Sequence, residues 1–483
     1  MEKSLSKGMK FVSVVLGALL GGFMWRCRGE GGFGSSWGLY SVGLVLMLLI
    51  YHFYNNRKGM KYEMIPLGGL MLGLSVTGYA TVLNELAGVI ESDLPYTGAL
   101  LNNAAPVLVE GENNVYVSIN PVSGAVILFL MAFTLIPLFS FFVTSLFSNK
   151  EYKIRHYVIA IAIFYISSLI FKASISHFIM KAINPEQTQY ALMGLKYSGY
   201  DYSSSMAAYM DHFLDRRWTQ EIPFFENYYM SIEHISDSLA VLCLSGYALI
   251  FRKDKYTGFG SLFLNAITGA CSVICTPLVS YMFNSGFFAG KEFPQWFKTI
   301  ASWGTWEFAT GFFVGLFIML FLALTADKHT VCTGDDDTPL FTDKKLSFAY
   351  NFVLTVFIFG VTPFRAIGIR VARTFQTFEI IPDDEPLGTI LTVVFSIAIG
   401  IFFLKLLSNN ILKKGSNAFD MRPTDFAKIA LPAYLAMCFV VYFFLDEVEI
   451  LRLSASITNI IMLITAALIA VIYFPVRNKL KTK

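Results

Sequence analysis

Most ionisable side chains in the hydrophobic part of this sequence stand where an apolar run begins or ends, and four of them could move protons. Lys172 comes late in one run, Glu233 and His234 open another, and Glu307 comes early in a third. An ionisable group in hydrocarbon costs roughly 2.5–3.5 kcal/mol on insertion scales, which marks it as a functional candidate. Carboxylates, imidazoles and amines can take or return the proton of a reacting hydroxyl. We therefore predict Glu307, His234, Glu233 and Lys172 as catalytic residues.

Arginines at similar positions could hold an anion. Arg26 and Arg28 follow the first apolar run, and Arg365 ends a later one. A guanidinium binds phosphate or carboxylate through two parallel hydrogen bonds. In a different interpretation, Arg26 and Arg28 are only anchors against lipid phosphates at the membrane interface. The predicted substrate-binding residues are these arginines and their polar or aromatic counterparts at other run ends: Arg26, Arg28, Glu30, Glu85, His177, Asp237, Trp306, Arg365 and Arg370.

The histidines near these runs have competing interpretations. His234 and Asp237 are three residues apart, so on a helix they share one face and the carboxylate could orient the imidazole. The same pair could instead mark a helix N-terminus, where acidic residues are favoured. His177 stands on an apolar stretch, where a histidine with satisfied hydrogen bonds that packs against its neighbours is the simpler interpretation.

The stretch from Trp25 to Gly38, WRCRGEGGFGSSWG, joins the first two apolar runs and is rich in glycine. Glycine permits close backbone approach and dihedral angles that other residues avoid. We predict a short charged hairpin at one membrane face, with a backbone that is neither helix nor strand.

The composition indicates that lipid surrounds much of the chain. The sequence has 483 residues, of which 55% are hydrophobic and 15% charged, whereas about 25% are charged in an average soluble protein. Several apolar runs reach roughly 18 residues or more, the length that crosses about 30 Å of hydrocarbon. We predict an all-α polytopic helical bundle of about 12 transmembrane helices, placed approximately at 11–25, 37–54, 64–85, 121–147, 155–180, 232–251, 258–283, 303–325, 346–364, 387–407, 427–445 and 454–475.

Basic residues set the predicted orientation. With the N-terminus in the cytoplasm, every segment on that side is basic, and the lysine-rich C-terminus ends there as well. Because loops rich in lysine and arginine stay inside, both termini are predicted to be cytoplasmic. The chain is then a single polytopic membrane domain, residues 1–483, with outer and cytoplasmic loops. The outer loops are at roughly 86–120, 181–231 and 365–386, and a cytoplasmic loop is at roughly 326–345.

A short repeated motif suggests an internal duplication. Ser36–Trp37–Gly38 opens the second predicted span and Ser302–Trp303–Gly304 opens the eighth. An offset of six spans is typical of two parallel six-span halves. A six-plus-six pseudo-repeat is therefore kept as a hypothesis.

Acid–base groups and arginines at the outer face suit a substrate with a lipid tail and a polar head. Our preferred hypothesis is a transferase of the cell membrane that acts on a lipid or lipid-linked, phosphate-bearing substrate at the extracytoplasmic leaflet. The expected partners are membrane lipids and this anionic substrate. A secondary transporter of a small polar or anionic solute fits the 12-span layout, although such sites usually lie near the midplane. An accessory membrane subunit fits the long outer loops.

Several other classes of function lack their motifs in this sequence. The six cysteines have no metal-binding spacing with histidines, and H-E-x-x-H is absent. We therefore predict no metal and no other cofactor. The phosphate-binding motif G-x-x-x-x-G-K-[ST] is also absent, which argues against an ATP-driven motor, and no feature favours nucleic-acid binding.

Overall fold

A computed structural model describes part of the chain in detail. The described residues are 5–30, 35–58, 64–75, 126, 129–130, 133–213, 215, 218–219, 222, 225–274, 303–328, 368, 371–372, 374–410 and 457–477. Within them all regular structure is helical and no strand occurs, which confirms the all-α prediction for this part. The helices are α1 Lys7–Glu30, α2 Ser35–Lys58, α3 Met64–Ser75, α4 Pro137–Leu146, α5 Ile154–Lys172, α6 Ser176–Ile183, α7 Pro185–Tyr197, α8 Ser205–Asp211, α9 Phe225–Gly246, α10 Lys255–Gly269, α11 Trp303–Thr325, α12 Asp384–Asn410 and α13 Ile457–Arg477.

Four helical stretches among the described residues are long and apolar enough to cross a membrane, and they indicate a membrane protein. They are Lys7–Arg26, Ile154–Lys172, Tyr228–Phe251 and Glu307–Thr325. The last part of the third stretch, Tyr247–Phe251, is π-helical. Shorter apolar helices occupy parts of other predicted spans: Val42–Tyr54, Met64–Ser75, Pro137–Leu146, Pro386–Ala398 and Ile461–Val476. The spans predicted at 346–364 and 427–445 and the loop at 86–120 lie outside the described residues.

The predicted irregular hairpin at Trp25–Gly38 is wrong over most of its length. α1 continues through Glu30, and α2 already begins at Ser35, so that 31–34 alone lie outside the description. Arginine and glutamate are good helix formers, and a single glycine costs only about 1 kcal/mol in a helix. Within this extension, the buried Trp25 packs against Gly311 of the helix Trp303–Thr325.

The chain divides into two compact units, which are described separately. The first combines Met1–Leu74, Leu146–Glu151 and Glu307–Lys483, and the second combines Ser75–Ser145 with Tyr152–Trp306. In the first unit α1 packs against α2 and α13. In the second, α9 packs against α5, α6, α7 and α10.

Glycines bring α1 and α11 into close contact in the first unit. A Cβ on Gly21 would collide with the carbonyl oxygen of Gly311, and one on Gly17 would lie 2.9 Å from the carbonyl oxygen of Gly315. Two G-x-x-x-G patterns thus face each other, and small residues of this kind let helix backbones approach closely. The pairing runs in opposite chain directions, so the two helices are antiparallel.

The segment predicted as the outer loop 181–231 is largely helical where it is described. Asn184 caps α7 by accepting a hydrogen bond from the Gln187 amide, at 3.1 Å, and Ser204 caps α8 in the same way. Buried apolar residues of α7 and α8 pack against the first half of α9 and form one cluster: Met180, Ala191, Leu195, Ala208, Tyr209, Ile222, Phe225, Tyr228, Tyr229, Ile232 and Ile235. The loop is therefore a packed helical layer that covers one end of α9.

The predicted continuous span at 155–180 is also corrected. α5 ends at Lys172, a turn follows over residues 173–175, and α6 begins at Ser176. The carbonyl oxygen of Lys172 loses its helical partner in this turn and instead accepts a hydrogen bond from Nε2 of His177, at 2.8 Å. A side chain thus satisfies a backbone group that the helix end leaves open.

Candidate functional site

The end of α5 and the third turn of α9 hold a partly buried ion pair in the second unit. Nζ of Lys172 lies 2.8 Å from Oε1 of Glu233, and the two side chains are 11% and 15% exposed. Lys172 is the last residue of α5, a mostly apolar helix that also carries Arg155 and His156 near its start, and its ammonium group reaches Glu233 on the facing helix. Charge-assisted hydrogen bonds of this kind are about twice as strong as neutral ones. The structure therefore joins two residues that the sequence predicted separately as catalytic.

A second polar contact joins α5 and α9 one turn further into both helices. Ser168 donates its hydroxyl hydrogen to Oδ1 of Asp237, and both residues are buried. Asp237 therefore has a partner on the facing helix, and its suggested orientation of His234 stays a prediction. His234 itself is buried on α9.

His177 is held by hydrogen bonds on both ring nitrogens. Nε2 faces the carbonyl oxygen of Lys172, which can only accept, so Nε2 carries the proton. Nδ1 lies 2.8 Å from the hydroxyl of Tyr228, which therefore donates to it. The residue lies beyond the membrane-spanning stretch that ends at Lys172. Burial lowers the pKa of His177, and the bond to the Lys172 carbonyl opposes this only in part. The arrangement is that of a neutral, fully bonded imidazole, the packing role that the sequence left open.

Tyrosines from two helices cover this polar cluster. The ring of Tyr209 on α8 meets the ring of His177 edge to face, with centroids 4.8 Å apart. It also lies 5.0 Å from the ring of Tyr229 on α9. Aromatic pairs in these geometries add to packing energy and fix ring positions. The helical layer formed by α7 and α8 thus contacts His177 and Tyr229 through the ring of Tyr209.

A separate buried ion pair lies in the first unit. Nη1 of Arg26 and Oε2 of Glu307 are 3.0 Å apart, and their side chains are 9% and 7% exposed. At the opposite end of the same helix pair, Lys10 and Asp327 form an ion pair at 2.6 Å that is 27% and 25% exposed. The sequence predicted Glu307 as catalytic and Arg26 as part of an anion site. The structure makes each the partner of the other, and their functional roles stay predictions.

The remaining predicted site residues lie at or beyond the limits of the description. Arg28 and Glu30 belong to α1 and Trp306 to α11, but their side chains are not described. Glu85, Arg365 and Arg370 lie outside the described residues altogether.

Sequence reasoning missed several residues that hold these sites. The glycine patterns at Gly17 and Gly21, and at Gly311 and Gly315, were visible as a helix-pairing signal. By contrast, nothing in the sequence marks Tyr209 among the tyrosines of its segment, because its position depends on how α8 packs.

The described residues contain no group of three or more His, Cys, Asp and Glu side chains placed to hold a metal ion. Comparisons with known proteins give no family assignment either: no family model, no curated protein and no solved structure matches this chain.

Proposed function

We propose that this protein is a multi-pass protein of the cell membrane that transfers a group from a lipid or lipid-linked, phosphate-bearing substrate at the extracytoplasmic leaflet. The observation that supports it is the partly buried Lys172–Glu233 pair, which stands at the end of a mostly apolar helix near a helical, tyrosine-rich layer. The proposal keeps the predicted layout of about 12 spans with both termini in the cytoplasm. In that layout this end of α5 faces the outer leaflet.

Glu233 and Lys172 have different roles in this proposal. Glu233 takes the proton from the attacking hydroxyl of the acceptor, and Lys172 holds the carboxylate in place through Oε1. The covering layer of α7 and α8 keeps water from the reacting groups, which strengthens electrostatic interactions among them. The arginines predicted to bind an anion, Arg28, Arg365 and Arg370, belong to the first unit, and their binding of a donor phosphate stays a separate prediction.

A transfer assay in proteoliposomes tests the proposal. The donor is a polyprenyl diphosphate that carries a tritiated N-acetylglucosamine, and the acceptors are glycerol, free sugars and membrane lipids. We expect the wild-type protein to move label from the donor to an acceptor, and Glu233→Gln to lower the rate by at least about 100-fold. Asp201→Asn, an exposed carboxylate on the same unit, is the matched control and keeps the wild-type rate. Absence of transfer by the wild type, or a wild-type rate for Glu233→Gln, would refute the proposal.

A secondary transporter is the second candidate, and one observation favours it. The turn at residues 173–175 interrupts a predicted span directly after Lys172, and interrupted helices commonly line transporter binding sites. The same proteoliposomes, prepared without donor, separate the two functions. Uptake of an anionic solute that depends on an imposed proton gradient, together with absence of label transfer, would support the secondary transporter and refute the transferase.

A further inference from the structure

Tyr209 is a fully buried tyrosine whose hydroxyl is not used by the described part of the chain. The residue is 0% exposed, and its hydroxyl has no hydrogen-bond partner among the described residues. Buried hydroxyls are nearly always hydrogen-bonded, because a lost partner leaves the cost of removing the group from water uncompensated. A buried hydroxyl of this kind at a polar cluster points to a group that binds there.

The ring of Tyr209 lies 5.0 Å from the ring of Tyr229, which stands one helical turn before Glu233 on α9. Burial is the largest cause that raises its pKa, followed by the nearby Tyr229, Glu233 and Asp237. Tyr209 therefore keeps its proton in the physiological range and acts as a hydrogen-bond donor. Its ring is fixed by His177 and Tyr229, so the donor has a defined position.

Glu233 and Lys172 also have unused hydrogen-bonding capacity within the described residues. Glu233 accepts from Lys172 through Oε1, and its Oε2 has no partner there. The ammonium group of Lys172 has three N–H donors, of which Glu233 uses one. A free donor on Tyr209 and a free acceptor on Glu233 thus belong to the same cluster.

We propose that a hydroxyl group of a sugar or polyol acceptor binds between Tyr209 and Glu233. Its oxygen accepts the hydrogen bond from Tyr209, and its hydrogen is donated to Oε2 of Glu233. A hydroxyl suits this position because it both donates and accepts, whereas a phosphate oxygen only accepts and would be repelled by the carboxylates. The inference rests on the proposed function, since it names the acceptor of the transferase and makes Tyr209 a further substrate-binding residue.

Two conservative variants separate this role from a structural one. Tyr209→Phe removes a hydroxyl that has no described partner, whereas Tyr228→Phe removes one that is bonded to His177. In nanodiscs without ligand, we expect Tyr209→Phe to melt at or above the wild-type temperature and Tyr228→Phe to melt below it. On addition of N-acetylglucosamine or glycerol, the melting temperature of the wild type rises. The affinity of Tyr209→Phe for these probes is about tenfold weaker, which corresponds to 1.4 kcal/mol, while that of Tyr228→Phe is unchanged.

The possible results test the binding site, the choice of a hydroxyl ligand and the transferase proposal separately. If no probe binds to the wild type, or if Tyr209→Phe binds it equally well, the inference is overturned. It is also overturned if Tyr209→Phe lowers the ligand-free melting temperature as much as Tyr228→Phe, because the hydroxyl would then have a structural partner. Stabilisation of the wild type by inorganic phosphate rather than by the polyols overturns the choice of a hydroxyl. If sugar binding weakens in Tyr209→Phe but no label is transferred in the proteoliposome assay, the binding site stands and the transferase proposal alone fails.

Discussion

Removing one member of the Arg26–Glu307 pair should destabilise the first unit far more than removing one member of Lys10–Asp327. The two pairs close opposite ends of the same antiparallel pair of helices, α1 and α11, about 24 Å apart along α1 at 1.5 Å per residue. The Arg26 and Glu307 side chains are 9% and 7% exposed, and those of Lys10 and Asp327 are 27% and 25% exposed. The pairs therefore differ mainly in burial.

The expected free-energy changes follow from this difference in burial. At the 3.0 Å separation of Arg26 and Glu307, an effective dielectric constant near 20 gives an attraction of about 5 to 6 kcal/mol. The cost of removing both charges from water offsets much of it, so the pair adds little net stability, but a single removal deprives a buried charge of its ion-pair partner and costs about 3–5 kcal/mol. The more exposed pair should contribute about 0–1 kcal/mol.

The assay is equilibrium unfolding in mixed micelles by titration with dodecyl sulfate. We expect Arg26→Met and Glu307→Gln each to lower the free energy of unfolding by about 3–5 kcal/mol, and the double variant to recover most of the loss. Lys10→Met and Asp327→Asn are the matched controls and should stay within about 1 kcal/mol of the wild type. Equal effects at both ends, or additive losses in the double variant, would contradict the argument from burial.

Further predictions concern the glycine contact and His177. Gly21→Val should separate α1 from α11 and lower the free energy of unfolding by several kcal/mol, because the valine side chain would collide with the backbone of Gly311. Gly8→Val is the control, because no atom lies within 4 Å of a Cβ added there. An equal loss of stability in Gly8→Val would show that helix propensity alone explains the effect. The lowered pKa of His177 means that the unfolded chain binds more protons, so stability should fall as pH drops below about 6.5 towards the folded-state pKa. His177→Gln should flatten this dependence in melting curves from pH 5 to 8, and an unchanged slope would show that His177 is not its source.

The sequence predicted which polar residues of the second unit are candidates for chemistry better than it predicted which of them contact each other. Lys172, Glu233 and Asp237 were marked because an apolar run rarely carries charge without a reason, and the structure places all three at the contact of α5 with α9. Their partners could not be read from the sequence, because Lys172 and Glu233 are 61 residues apart. Which side chains meet depends on the register in which the two helices cross.

Two secondary-structure predictions made from local sequence were wrong at places where helices pack against each other. Glycine and charge at Trp25–Gly38 predicted an irregular hairpin, but α1 extends to Glu30, and its residue Trp25 packs against Gly311 of α11. An unbroken apolar run predicted one span at 155–180, but the chain turns after Lys172, where His177 supplies the bond that the backbone loses. Propensity is a weak preference that tertiary contacts override.

The sequence by itself determined that this is a helical membrane protein. Long apolar runs with few charges indicate that lipid surrounds these segments, and in lipid the backbone polar groups must form hydrogen bonds within the segment. It also determined which ionisable residues stand at the ends of those segments. Only the tertiary structure decided that Arg26 meets Glu307 across 281 positions of chain, that Lys172 meets Glu233, and that the ring of Tyr209 packs against those of His177 and Tyr229. These contacts arise from how helices distant in sequence pack against one another, and no local pattern encodes that.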